Sequence, residues 1–342
     1  MRVWRLLVAS GPGLCQGSPR PMAVSSAAPS GFGAVLDALA QRQLLVVSGK
    51  GGVGRTTVAA LLGLSLARRG RRVLVATVGL DDRLAWMLGQ RTLTETPSVA
   101  GPGLYIQRVI PTVCIREYGA LVLRSERIAG AVFDSAPIRR LVRAVPGLDD
   151  FAVLGKIWHE AVRARSFDVV VFDGPATGHL RYTLGIPQAI LKTVRVGPLP
   201  REAQAMQASL EDAMVTQAVL VGLPDRWPLT ELGEMAASLR SESRVHIGGI
   251  FVNGMWPELP AFQAGPPELD PDGQVARMLA ATNVVAQQAA RQRGHVEAWL
   301  AGEHAAERRV PPVVSLPWRF QGFAGLADVE DVLATLEPRR AA

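Results

Sequence analysis

One glycine-rich turn constrains the fold of this chain more than any other stretch. It reads Ser-Gly-Lys-Gly-Gly-Val-Gly-Arg-Thr-Thr and runs from Ser48 to Thr57. The apolar run 44–47 precedes it, and a helical pattern over 58–69 follows it. A strand, a glycine-rich turn and a helix in this order are the context of a phosphate-binding loop, whose backbone N–H groups point at phosphate oxygens. The helix adds the positive end of its dipole to the same site. The stretch therefore predicts a nucleotide-binding loop.

Two cations and one hydroxyl give this loop its chemistry. Arg55 stands where the common pattern G-x-x-x-x-G-K-[ST] has its lysine. Its side chain ends in a planar guanidinium group in place of a compact ammonium group. Lys50 follows the first glycine and is one of only three lysines, so we interpret it as a chemical requirement. We predict that Lys50 and Arg55 act as the catalytic cations and that the Thr56 hydroxyl binds Mg²⁺. The residues predicted to bind ATP here are Gly49, Lys50, Gly51, Gly52, Val53, Gly54, Arg55, Thr56 and Thr57.

Composition limits the classes of protein that this chain can belong to. At 342 residues and 48% hydrophobic content, it can form one large domain or two small ones. No run of about 18 apolar residues occurs, so we expect no integral membrane segment. The net charge of +7 comes from scattered basic residues, and aromatic residues make up only 6%. We therefore expect a solvated basic surface and no nucleic-acid partner, with a nucleic-acid or anionic-membrane surface as the alternative.

The cysteines and the first residues bear on the compartment. Cys15 and Cys114 are the only cysteines and form no CxxC pair, so a Cys₄ zinc site within one chain is excluded. A reducing, cytoplasmic location fits this usage. Residues 1–40 are predicted to be a disordered leader or an over-extended start, with Met22 as the alternative first residue.

Strand and helix patterns alternate along the rest of the chain. They predict an α/β fold with a doubly wound, mostly parallel sheet, formed by a single P-loop NTPase domain over 41–338. Between about 112 and 165 the spacing becomes helical, which predicts a helical insertion subdomain. Its apolar positions are either core or an exposed groove for a client or partner. Residues 91–102 are predicted to be a polar loop. Further strands are predicted at 72–78, 104–109, 167–173, 218–223, 245–252 and 313–316.

Two strand ends carry further candidate ligands. The run 167–173 ends on Asp173 and continues as Gly-Pro-Ala-Thr-Gly-His, 174–179. A carboxylate at this position suits Mg²⁺, and the glycines permit a backbone switch that responds to the γ-phosphate. Asn253 follows the run 245–252, where an amide can pair with the adenine edge.

With these motifs in place, the chain resembles the family of arsenical-pump ATPases and targeting factors for tail-anchored membrane proteins. The loop is similar to that family's deviant Walker A form, K-G-G-V-G-K-T-T, and 173–179 is similar to its second switch, D-T-A-P-T-G-H. Residues 146–150 and 224–231 are similar to two further family elements. The resemblance implies an Mg²⁺- and ATP-dependent dimer, either a homodimer or a heterodimer with a paralogue, in which Lys50 reaches the partner's nucleotide. It also implies a protein client or a membrane-protein partner.

One departure from that family affects the expected chemistry. Where the family has D-P-A-H-S, whose aspartate orients the attacking water, this chain has Gly-Leu-Asp-Asp-Arg at 79–83, so that the aspartate position falls on Gly79. Loss of a water-positioning group lowers a rate by about 10²–10⁴-fold. Two readings stay open: an ATPase whose hydrolysis is slow, and a nucleotide-gated interaction module that partners an active paralogue. A chromosome-partition type of ATPase is a third reading, which the helical insertion and the absence of a basic run disfavour.

Overall fold

A computed structural model describes residues 31–123, 147–194, 196, 198–259, 273–306, 308 and 310–337. The strands are β1 Leu44–Gly49, β2 Val73–Thr77, β3 Ser98–Gly101, β4 Leu104–Arg108, β5 Val169–Asp173, β6 Thr216–Gly222, β7 Ile247–Met255 and β8 Val313–Pro317. The helices are α1 Phe32–Leu39, α2 Arg55–Arg68, α3 Arg83–Met87, α4 Pro111–Leu123, α5 Leu148–Trp158, α6 Thr177–Thr193, α7 Pro198–Glu211, α8 Arg226–Ser238, α9 Gln274–Ala305 and α10 Leu326–Leu336. Short π-helical turns, His159–Arg163 and Leu239–Ser243, extend α5 and α8.

The strands form one eight-stranded sheet in the order β3-β4-β2-β5-β1-β6-β7-β8. All neighbouring strands run parallel except β3, which pairs antiparallel with β4. The fold is therefore the predicted α/β P-loop NTPase type, with a mostly parallel sheet. Because β1 lies between β5 and β6, the loop that follows β1 emerges near the middle of the carboxyl edge, where ligands of open α/β sheets bind.

The sheet separates two hydrophobic cores, which is why its central strands have continuous apolar sequences. On one face, Leu45 and Val47 pack with helices α1, α2, α3 and α10. On the other face, Leu44 and Val46 pack with α5, α6 and α8 and with apolar residues of α4 and α7. Alternate residues of β1 thus point into opposite cores, as the strand period of two requires. None of the described helices is both long and apolar enough to cross a bilayer.

Helix α1 corrects the prediction that residues 1–40 form a disordered leader. Its apolar residues recur at helical spacing, and Leu36 and Leu39 are fully buried against the sheet. The Pro- and Ser-rich sequence before it concealed this pattern, although the i, i+3, i+4, i+7 spacing was present. The part of the prediction that concerns residues 1–30 lies outside the described residues.

Strand β3 corrects the prediction of a polar loop over 91–102. It is short and lies at the sheet edge, with Val99 exposed, so its sequence lacks the apolar alternation of a half-buried strand. Its pairing with β4 through a turn at Gly103, whose φ is +70°, determines the conformation instead. Helix α7 was also not predicted. The helical insertion expected over 112–165 is described at its two ends, α4 and α5, which pack together, while 124–146 lie outside the described residues.

The burial of α1 predicts a measurable contribution to stability. Replacing Leu36 with alanine should lower the free energy of unfolding by about 2–5 kcal/mol, because it leaves a cavity between α1 and the sheet. Urea unfolding of the full chain measures this change. The neighbouring Asp37→Ala variant is the control, since it removes only an exposed ion pair to Arg69, a type worth up to about 1 kcal/mol. Equal effects of the two substitutions would contradict the packing of α1.

Candidate nucleotide-binding site

The glycine-rich turn lies between β1 and α2, as the sequence predicts, and its backbone is curled. Gly52 and Gly54 have φ of +84° and +94°, which residues with side chains rarely adopt. Gly54 is the residue before the first helical residue, Arg55, so the N-terminal amides of α2, which have no partners within the helix, directly follow the turn. Neither acidic side chains nor side-chain caps occupy this helix start. The arrangement can accept an anion.

Asn253, at the carboxyl end of β7, holds the turn from its other side. Its Nδ2 donates a hydrogen bond of 2.9 Å to the Val53 carbonyl. A Cβ atom built on Gly54 would come within 2.2 Å of the same nitrogen, so Gly54 is required by space as well as by φ. The structure therefore gives Asn253 a contact with the loop that the sequence did not indicate. Its contact with adenine stays a prediction.

Asp173, Thr56 and Thr77 form the polar centre of the site. The Thr56 hydroxyl donates to Asp173 Oδ2 at 2.7 Å, and the Thr77 hydroxyl donates to the same oxygen at 3.3 Å. Asp173 is only 6% exposed. Burial raises the pKa of its carboxyl group, while the hydrogen bond from Thr56, the charge of Arg55 and the hydrogen bond from Thr77 act in the opposite direction. The centre thus holds a poorly solvated carboxylate beside a hydroxyl group.

These donors fit Mg²⁺. Hydroxyl and carboxylate oxygens are hard ligands, and Mg²⁺ binds through one or two carboxylates together with waters and substrate phosphates. Within the described part of the chain, no group of three or more His, Cys, Asp and Glu side chains could hold a metal ion. Thr56 and Asp173 would therefore hold the cation jointly with a bound phosphate. A cation would also relieve the burial of the Asp173 charge.

Two side chains of the loop region contact the segment after Asp173. Arg55 Nη1 donates to the Gly174 carbonyl at 2.5 Å, and Ser48 Oγ donates to the Pro175 carbonyl at 2.9 Å. The Gly174 amide in turn donates to the Val47 carbonyl at 2.9 Å. The loop and the predicted switch are therefore directly connected. Arg55, predicted to counter phosphate charge, lies between the two.

The second half of the switch reaches the start of α5. His179 Nε2 lies 2.7 Å from Asp150 Oδ1, and Thr183 Oγ1 donates to the same oxygen at 3.2 Å. Asp150 lies within the predicted helical insertion, in the segment 146–150 that is similar to a family element. Residues 174–183 thus connect the loop to this insertion through hydrogen bonds.

Lys50 forms an ion pair with a residue of helix α8. Its Nζ lies 2.5 Å from Glu231 Oε1 on α8, and the two side chains are 61% and 38% exposed. The second carboxylate oxygen of Glu231 is buried and has no hydrogen-bond partner among the described residues. The sequence places Glu231 in the segment 224–231, which is similar to a family element, but gives no signal of its contact with Lys50, because the two residues are far apart along the chain. Only the adjacency of β1 and β6, which α8 follows, brings the two together.

The connection after β2 passes through Gly79 and Asp82. The Gly79 amide donates to Thr77 Oγ1 at 3.1 Å. Gly79, which has no side chain, therefore adjoins the cluster of Asp173, Thr56 and Thr77. Asp82 lies further out, where its Oδ1 accepts hydrogen bonds from the Leu93 amide at 2.8 Å and from Arg108 Nη2 at 2.6 Å. Within the cluster of Asp173, Thr56 and Thr77, Thr77 is the residue that the sequence did not predict. Its signal was a hydroxyl at a strand end in an otherwise apolar run.

The buried carboxylate predicts a pH-dependent gain in stability on its removal. Because the pKa of Asp173 is raised, the folded state binds a proton more readily than the unfolded state, and stability falls as pH rises through the folded pKa. Asp173→Asn should therefore be more stable than the parent protein at neutral pH, with a difference that shrinks toward acidic pH. Urea unfolding at several pH values measures it. A constant difference across pH would contradict the assignment of the effect to ionisation.

Comparison with known proteins agrees with this geometry. Residues 42–198 match the sequence profile of the anion-transporting ATPase family. An uncharacterized protein of Streptomyces coelicolor is 36% identical over 168 residues, which cover 48% of this chain and 42% of the relative. ATPase BagA of Mycobacterium tuberculosis is 26% identical over 62% of this chain and 64% of its own length. ATPase GET3 of Malassezia globosa is 30% identical over 46% of this chain and 49% of its own length.

Each of these matches covers only part of the relative's length. The aligned part of the chain spans less than two thirds of the length of each of these relatives. The family match itself covers α2 with its loop, β2, β5 and the switch, which are the elements that form the site. Residues 42–198, which carry the loop, the strand-end acid and the switch, are therefore similar to the anion-transporting ATPase family.

Proposed function

We propose that this chain binds Mg²⁺·ATP in the loop 49–57 and hydrolyses it slowly, and that ATP binding closes a dimer. The observation that carries the proposal is the hydrogen bond from Thr56 to the buried Asp173, because it unites a phosphate loop with a strand-end carboxylate. In phosphoryl transfer the protein contributes positioning and charge neutralisation, and covalent chemistry has little part. The curled loop and these two oxygens supply the positioning.

Each residue of the site has a role in this proposal. Backbone amides of 51–56 bind phosphate oxygens, and Thr56 and Asp173 hold Mg²⁺. When bound, this cation neutralises charge on the β- and γ-phosphates. Arg55 is held by the Gly174 carbonyl, so a phosphate that attracts Arg55 loosens the switch. Asn253 holds the curled loop through its hydrogen bond to the Val53 carbonyl. Its contact with adenine is also part of the proposal.

Lys50 is the residue that we assign to the dimer. Its side chain is largely exposed, so its charge is available to a second nucleotide-binding site. In the proposed closed state, Lys50 leaves Glu231 and contacts the phosphates bound by the partner subunit. Charge-assisted hydrogen bonds to phosphate are stronger than an exposed ion pair, so ATP favours the exchange. The partner is a second copy of this chain or a paralogue.

A nucleotide-gated interaction module is the second candidate function. Gly79, which offers no carboxylate, favours it, because hydrolysis would then lack a water-positioning side chain at that position. Measuring the affinity for Mg²⁺·ATP and the release of phosphate on the same preparation separates the two functions. Binding with turnover supports the ATPase, and tight binding without turnover, alone and with candidate paralogues, supports the module. Absence of binding would overturn both.

The role of Lys50 predicts the behaviour of a variant. Lys50→Ala should lose ATP-dependent dimerisation while it still binds ATP, because the substitution removes the cross-subunit contact and leaves the loop backbone intact. Multi-angle light scattering with and without Mg²⁺·ATP measures the assembly. ATP-dependent closure of Lys50→Ala equal to that of the parent protein would contradict the proposal.

The ion pair between Lys50 and Glu231 predicts the opposite effect for its other member. Glu231→Gln should lower the ATP concentration needed for dimerisation by about 2–5-fold, as expected for loss of an exposed pair worth up to about 1 kcal/mol. The control is Glu234→Gln, which removes an equal charge from the exposed side of the same helix. Similar shifts for both variants would assign the effect to net charge and would contradict a specific contact.

A further inference from the structure

The turn after β2 brings a second carboxylate to the Asp173 cluster. β2 and β5 are parallel neighbours, and Thr77 and Asp173 lie opposite each other at their carboxyl ends. The chain leaves β2 through Val78 and Gly79 and starts α3 at Arg83, so residues 79–82 connect the two elements at this corner of the sheet. The start of this connection adjoins Thr77, which contacts Asp173.

Asp81 is an exposed residue whose carboxylate lies near the position that a side chain at 79 would take. Thr77 Oγ1 lies 3.3 Å from Asp173 Oδ2. A Cβ atom built on Gly79 would lie 3.4 Å from Thr77 Oγ1 and 4.0 Å from Asp81 Oδ1. The space that a side chain at 79 would enter is therefore bordered by Thr77 on one side and by the Asp81 carboxylate on the other. The negative charge of Asp81 also raises the pKa of Asp173, which is consistent with their proximity.

The two adjacent aspartates differ in what they bind. Asp82 is occupied by an ion pair with Arg108 and by the Leu93 amide, which fix the path of the chain. Asp81 accepts a hydrogen bond from the Arg83 amide at 3.2 Å, and no ion pair among the described residues involves it. Arg108 also donates to the Asp81 carbonyl at 3.2 Å, so the backbone that carries the free carboxylate is held in place. Of the two, Asp81 is the one available to a ligand.

We propose that Asp81 is the second carboxylate of the Mg²⁺·ATP site, where it accepts a hydrogen bond from a water molecule bound to the cation. This inference rests on the proposed function. Mg²⁺ gives up its waters reluctantly and keeps several of them in protein sites. A carboxylate that lies near the cation without ligating it directly orients such a water, and partners of this kind strengthen metal binding. Asp81 therefore supplies, from the connection after β2, the acidic group that Gly79 does not.

The magnesium dependence of nucleotide binding tests the assignment. Fluorescent ATP analogue at fixed concentration is bound to the full chain, and Mg²⁺ is titrated. Asp81→Asn should need about 10-fold more Mg²⁺ than the parent protein for half-maximal binding, in line with the loss of an outer-shell partner. Asp82→Asn is the matched control and should need the parental concentration, because its carboxylate is directed at Arg108. Asp81→Glu, which restores a carboxylate, should recover part of the difference.

The outcomes separate this inference from the function on which it rests. An unchanged Mg²⁺ requirement in Asp81→Asn, with normal binding by the parent protein, would overturn the role of Asp81 alone. An equal increase in Asp81→Asn and Asp82→Asn would also overturn it, since the effect would then come from the turn as a whole. Absence of Mg²⁺-dependent binding in the parent protein would overturn the proposed function. Thermal unfolding of each variant shows whether it has folded.

Discussion

The hydrogen bond between Thr56 and Asp173 depends on the central position of β1, and the rest of the site depends on that bond. β1 pairs with β5 on one side and β6 on the other, with Val47 opposite Asp173. The loop after β1 and the acid at the end of β5 therefore meet at one edge of the sheet. Helix α8 follows β6 at the same edge, which places Glu231 beside Lys50. Strand order thus decides which side chains can act together.

Sequence patterns predicted the parts of the site that are local. The loop and Asp173 each follow an apolar run directly, so strand periodicity and turn chemistry identified them. The contacts of Glu231 and Thr77 were not predicted, because they join residues that are far apart along the chain. Strand β3 was not predicted, because an edge strand needs no apolar alternation. Helix α1 was not predicted although its sequence has helical spacing, because Pro- and Ser-rich sequence precedes it. Most of the sheet was predictable, since its buried strands are continuous apolar runs.

The site contains interactions that oppose folding. Burial disfavours the charge of Asp173, and Gly52 and Gly54 adopt left-handed conformations that only glycine tolerates readily. One oxygen of Glu231 is buried and lacks a hydrogen bond among the described residues. Such features persist where the surrounding structure enforces them, and they concentrate at functional sites. A cation bound at Asp173 would offset the cost of burying its charge, so the proposed ligand would stabilise the site.

The connection after β2 shows that a motif position can lack an acidic residue while a nearby residue supplies a carboxylate. The resemblance to the family pattern predicts that the position of the water-side acid falls on Gly79. The next two acidic residues make different contacts. Asp82 forms an ion pair with Arg108, and Asp81 borders the space beside Gly79. An acidic group can therefore return to the site from two residues further along the chain. Its effect then depends on the geometry of the turn, which explains why the motif alone could not decide whether the site is complete.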